Sequence, residues 1–129
     1  PGDVPVMLEW RAHPAAPPPG VFVCRLDEIP EGEGREFRFG DGNAVAPLRI
    51  LVVRRGDDVF GYVNCCPHNY IPLNDQPDRF VTFDHAWIIC AAHGAVFRYE
   101  DGHCEDGPCR GRALEAVPLV PRNGSILIG

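Results

Sequence analysis

The stretch that decides the reading runs from Val63 to Phe97. It opens Val63-Asn64-Cys65-Cys66-Pro67-His68 and closes Cys90-Ala91-Ala92-His93-Gly94-Ala95-Val96-Phe97. Cys66-X-His68 is echoed by Cys90-X-X-His93, and each pair follows a short apolar run that reads as a strand, so two loops offer matching thiol and imidazole pairs. Thiolate and neutral imidazole are the soft and borderline ligands that iron or zinc prefer, and two of each complete a closed site. Zinc is one alternative, because two cysteines and two histidines are an ordinary structural zinc set. Zinc motifs usually place roughly two to four residues between paired ligands, whereas a single residue separates Cys66 from His68. A two-iron cluster accommodates that spacing, since the two side chains can bind different irons.

Outward from this stretch, apolar residues come in short runs: Val21 to Leu26, Phe37 to Phe39, Leu48 to Val53, Val59 to Val63, Trp87 to Cys90, Val96 to Tyr99, Val117 to Val120 and Ile126 to Ile128. Gly-Asp, Asp-Gly, Gly-Pro and Asn-Gly pairs punctuate them, and no run sustains a 3.6-residue period, so the expected class is all-β. Gly56-Asp57-Asp58 and Asn123-Gly124 each predict a hairpin, because glycine and asparagine tolerate positive φ. Short strands and frequent turns favour a stack of small antiparallel sheets or an open barrel. Residues 1–20, with the proline-rich run Pro14 to Gly20, read as an arm or linker, and residues 21–129 as the domain proper.

The chain has 129 residues, the span of one domain, with 45% hydrophobic and 23% charged residues. A net charge of −6 argues against nucleic acid as a partner, since backbone recognition needs a surplus of Lys and Arg, and suits a basic partner better. No run approaches the length of a membrane span, so no membrane association and a cytoplasmic location are expected. The six cysteines would allow a disulfide framework, but two of them sit in Cys/His units, which points to metal.

On Cys66, His68, Cys90 and His93 the chain resembles the Rieske [2Fe-2S] family, whose pattern is Cys-X-His, a spacer, then Cys-X-X-His. The resemblance continues through Gly94-Ala95-Val96-Phe97, Asp101-Gly102, Gly107-Pro108-Cys109 and Leu114 to Pro118, which look like the second cluster loop, the hairpin after it and a proline loop shielding the cluster. It implies a stack of small antiparallel sheets with one [2Fe-2S] cluster held by two loops. By that similarity Cys66 and Cys90 ligate the inner iron, and His68 and His93 the outer, more exposed one. Such a site is formally neutral when oxidised and singly negative when reduced, which raises its potential above that of an all-cysteine cluster.

Two departures refine the expectation. His68 and Cys90 are separated by residues 69 to 89, a longer spacer than most members carry, with Asn74-Asp75-Gln76-Pro77-Asp78 as a turn-rich excursion that alters the docking surface. The respiratory members resemble one another in serine and tyrosine hydroxyls after the second histidine and in a disulfide between the cluster loops. Here Ala95 and Phe97 replace the hydroxyls, and Asn69, Tyr70 and Ala91 are not cysteines. Fewer hydrogen bonds to sulfur imply a potential in the lower part of the range of about −150 to +300 mV.

The resemblance therefore implies a soluble ferredoxin-like electron carrier between a flavoprotein reductase and an oxygenase or other redox enzyme, with no catalytic residue of its own. Alternatives are a small Rieske-like subunit of a larger redox complex, such as a nitrite reductase, and a zinc-stabilised binding module. A thiol oxidoreductase is disfavoured because four residues separate Cys104 from Cys109. A disulfide between those two, a redox-sensitive clasp on the proline loop, is opposed by a reducing compartment. Cys24 and Cys65 read as buried structural thiols, His13, His85 and His103 as solvated residues outside the site, and Trp87, Ile88 and Ile89 as strand core.

Overall fold

The structure, a computed structural model, describes residues 10–40, 47–67 and 71–129. Among the described residues the strands are β1 (Phe22–Arg25), β2 (Gly34–Phe39), β3 (Leu48–Arg55), β4 (Asp58–Val63), β5 (Ile88–Ile89), β6 (Val96–Phe97), β7 (Cys104–Asp106), β8 (Ala116–Val117), β9 (Leu119–Arg122) and β10 (Ser125–Ile128). They form three antiparallel sheets, ordered β1-β10-β9, β2-β3-β4-β8 and β5-β6-β7. The all-β class and the stack of small sheets follow directly. Among the described residues only 3-10 turns, Trp10–Ala12 and Leu26–Glu28, interrupt the pattern, and no helix is long and apolar enough to cross a membrane.

β3 organises the packing. Its side chains alternate faces, as a two-residue period dictates, and both faces are covered. Leu51 and Val53 enter one core with Tyr62, Phe80, Ile88, Phe97 and Tyr99, while Leu48, Ile50 and Val52 enter a second with Ile29, Val117, Ile126 and Ile128. Burying each such side chain is worth about 1.5–3 kcal/mol, so this one strand contributes to both hydrophobic layers.

Both turn signals close hairpins. Arg55 pairs with Asp58 across Gly56, whose φ is +65°, and Arg122 pairs with Ser125 across Asn123 and Gly124, at φ +53° and +80°. Two consecutive positive φ values give the second hairpin the twist that suits its strands. The run Val117 to Val120 is not one strand: Pro118 lacks an amide hydrogen, and β8 and β9 pair in different sheets on either side of it. The run Trp87 to Cys90 yields only the two-residue β5, with Ile88 buried and Trp87 half-buried. The segment just before the proline-rich run is tied to the domain: Trp10 packs into the second core, its amide donates to the Glu115 carboxylate, and Arg11 Nη2 donates to the Gly129 carbonyl.

Candidate metal centre

The first ligand loop leaves β4 at Val63. Asn64 is buried beneath it and is fully engaged: its Nδ2 donates to Glu36 Oε2 (2.6 Å) and Asn74 Oδ1 (3.0 Å), and its Oδ1 accepts from the Leu73 amide (2.8 Å). Its backbone amide donates to the Arg49 carbonyl of β3. The loop is thus pinned two residues before Cys66, and the Cys66 amide closes it by donating to the Ile71 carbonyl (2.7 Å). Cys66 is fully buried while Cys65 is only half-buried, as the opposite pointing of neighbours on extended backbone requires. Cys65 is therefore less enclosed than expected, although burial still pushes its thiol up, with Cys66 and Glu115 adding to the shift.

The second loop follows β5. The Gly94 amide donates to the Cys90 carbonyl (2.8 Å), and Gly94 adopts φ +71°, so Cys90 to Gly94 makes a single helical turn. One such turn brings side chains three apart to the same side, here Cys90 at the buried end and His93 at the exposed rim. The two loops touch: the Ala91 amide donates to the Leu73 carbonyl (2.8 Å), and Cys66 and Cys90 are both fully buried in the same core. Burial pushes the Cys90 thiol up and Cys66 reinforces this, while the amides of Ala92 and His93, donating to its sulfur, oppose it. His68 lies outside the described residues.

A third segment covers the pair. Gly107 packs so closely on Ala95 that a Cβ would come within 2.7 Å of the Ala95 Cα, and its φ of +109° favours glycine as well. Arg112 Nη1 donates to the Pro67 carbonyl (2.8 Å), strapping this proline loop to the first ligand loop. Cys104 and Cys109, both buried, are free thiols beside the site and not a disulfide. Burial, with Cys66 and Cys104 adding, pushes the Cys109 thiol up to about 12. Ala95 and Phe97 are fully buried and offer no side-chain donor.

The donor set fits a cluster. Two fully buried thiols on loops hydrogen-bonded to each other can share one iron, and the main-chain N–H groups beside Cys90 favour its charged form. Among the described residues no three His, Cys, Asp or Glu side chains converge on a single ion. The remaining histidines stand apart. His85 is exposed but not simply solvated, because its Nδ1 lies 2.9 Å from the Gly32 carbonyl oxygen, and His13 Nδ1 accepts from the Ala15 amide. Sequence reasoning passed over Asn64 and Arg112, since neither belongs to a ligand motif. The only available signal for Asn64 was a polar residue directly after an apolar strand.

A family model for the Rieske [2Fe-2S] domain matches residues 20–121, and the chain belongs to that family. Its structure resembles the ferredoxin of carbazole 1,9a-dioxygenase from Nocardioides aromaticivorans IC177, with 27% identity and a TM-score of 0.68 over 87% of this chain and 98% of that one. It also resembles a chain in a complex of reduced oxygenase and oxidized ferredoxin in carbazole 1,9a-dioxygenase (23% identity, TM-score 0.64, 84% and 91% covered). The Sphingomonas yanoikuyae B1 ferredoxin shares the fold at 20% identity (TM-score 0.60, 84% and 96% covered). No curated protein sequence matches the chain. A Rieske domain of this form carries one [2Fe-2S] cluster and moves one electron at a time.

Proposed function

We propose that Cys66 and Cys90 hold the inner iron and His68 and His93 the outer iron, and that the chain carries electrons from a reductase to a terminal oxygenase in the cytoplasm. The observation that carries this reading is the burial of Cys66 and Cys90 in one core where the two loops are hydrogen-bonded together. When bound, the cluster supplies reversible one-electron redox chemistry. The chain's own residues do the rest. Asn64 and the Gly94 turn fix the two loops, Arg112 ties the proline loop over them, and Phe97 and Ala95 keep water from the sulfurs. His93, exposed at the rim, marks the face through which a partner gains electronic access. The ferredoxin likeness at 27% identity supports an oxygenase as the acceptor. Residues 21–129 form the working domain, with residues 1–20 as its arm.

The absence of hydroxyl donors at positions 95 and 97 supports a low midpoint potential. Iron and acid-labile sulfide analysis, with electron paramagnetic resonance of the dithionite-reduced protein, tests the ligand set. Two irons, two sulfides and a rhombic signal of low average g are expected, and Cys90→Ala should abolish all three. Zinc without sulfide would overturn the reading, and a midpoint well above zero would overturn the low-potential part alone.

A further inference from the structure

The sheet β2-β3-β4-β8 has an unfinished edge. β8 pairs with β4 at Gly61 and Tyr62 and reaches no further toward the β3–β4 turn. Pro118 ends that pairing, and the chain leaves for β9 in another sheet. Beside Val59 and Phe60, which β8 does not reach, lies a groove of about 220 Å³, walled also by Tyr62, Pro118 and Leu119 and lined at its rim by the exposed Glu100 and Asp101. Its walls are apolar, its rim is anionic, and it has room for one long side chain.

The rest of this end is acidic as well. Asp57 and Asp58 sit in the β3–β4 turn, and Glu31 Oε1 accepts from the Gly56 amide of the same turn (2.6 Å). Arg54 donates to the Ile29 and Gly56 carbonyls, Arg55 lies 4.0 Å from Glu100, and Arg98 is shared between Glu105 and Asp101. Carboxylates therefore outnumber cations around the groove. Exposed ion pairs of this kind are weak, so an incoming cation can replace them. Phe83 is wholly exposed on the neighbouring turn, whose Ala86 carbonyl accepts from Arg55 Nη2 (3.3 Å). A phenyl ring standing in water beside an apolar groove suits a protein surface rather than a small ion. The turns at 55–58, 82–87 and 98–103 all lie at the far ends of strands that meet the ligand loops at their other ends, β4 before Cys66, β5 before Cys90 and β6 after Gly94.

We infer that this groove is a docking site for a lysine or arginine side chain of a basic partner protein, its aliphatic stem lying along Val59, Phe60 and Leu119 and its charged head meeting Glu100 and Asp101. Long cationic side chains bury their stems in this way. A partner gripping here leaves the exposed His93 rim open, so the groove is a tether and not the electron's exit. Its chemistry is independent of which residues bind the irons.

Nuclear magnetic resonance of the isotope-labelled holoprotein tests this, with titration of a capped pentapeptide carrying one central lysine and of its norleucine counterpart. The lysine peptide should give saturable shifts at the amides of Val59, Phe60 and Leu119, and the norleucine peptide should bind far more weakly. In the double variant Glu100→Gln with Asp101→Asn, which keeps an oxygen to accept from the His103 amide, the lysine peptide should bind about tenfold more weakly. Equal binding of the two peptides, or a lysine titration that the double variant leaves unchanged, overturns the proposal. So do shifts spread evenly over the acidic surface, which mark nonspecific attraction. Shifts at the same amides when the protein alone is concentrated, with a doubled mass in sedimentation, would give the groove to a second copy of the chain and overturn it too. If the double variant fails to fold, the two peptides on the wild type decide.

Discussion

The two cores on either side of β3 are similar in size and different in chemistry. The distal core joins Trp10, Val23, Ile29, Leu48, Ile50, Val52, Val117, Ile126 and Ile128 around a single thiol, Cys24, which burial, with Glu28 adding, pushes up to about 12. The proximal core contains Cys66, Cys90, Cys104 and Cys109 among Tyr62, Phe80, Phe97 and Tyr99, and its polar atoms are paired: Tyr62 Oη donates to the Tyr99 carbonyl and Tyr99 Oη to the Gly32 carbonyl. Hydrocarbon packing needs only shape, whereas thiols and phenols need partners as well. The distal core thus provides stability in any redox state, and the proximal core spends its geometry on the site.

That contrast yields graded expectations. The largest effect falls on Cys90→Ala, which should remove iron and sulfide entirely while far-ultraviolet circular dichroism still reports the sheets packed on the distal core; loss of all sheet signal would show that the cores do not separate. Next, Ile50→Ala should cost about 2–5 kcal/mol of stability, read by denaturant unfolding, and leave the midpoint potential of the loaded protein unchanged. A shifted potential would mean that the distal face of β3 reaches the site. Asn64→Ala strips the Leu73 amide and the Glu36 carboxylate of a partner, so a loss of about 1–3 kcal/mol is expected, together with faster cluster release in the presence of a chelator.

The smallest effect concerns acid. Burial alone would raise Glu36, but hydrogen bonds from Arg49, Asn64 and Arg38 outweigh it and hold the carboxyl below its usual range. A depressed folded value means the unfolded chain binds the proton more readily. The stabilisation is therefore complete above the unfolded pKa and drains away as pH falls through the folded one. Glu36→Gln should flatten that acid limb in a pH series of unfolding curves, being less stable than the wild type at neutral pH, where the carboxylate's stabilisation is complete, and converging with it in acid; an unaltered limb would remove Glu36 from the loop's support.

Strands and hairpins were legible where one local signal settled them: the apolar run Leu48 to Val53, and the turns at Gly56-Asp57-Asp58 and Asn123-Gly124. The ligand pairs were legible as spacing. β7 was not, because Cys104-Glu105-Asp106 has no apolar period and becomes a strand only by pairing with Val96 and Phe97. The pairing of β1 with β10, near opposite ends of the chain, was equally invisible, since such contacts are set by tertiary packing. Trp10, Asn64 and Arg112 share that reason: each earns its role from a partner distant in sequence.

β3 is hydrogen-bonded along both edges, to β2 and β4, and covered on both faces. Its amides should be the last to exchange with deuterated solvent, opening only in global unfolding. The ligand loops, anchored to it through the Asn64 amide and the Arg49 carbonyl, inherit that slow clock, so the strand sets how long the protein can hold its metal once the surrounding medium begins to pull it away.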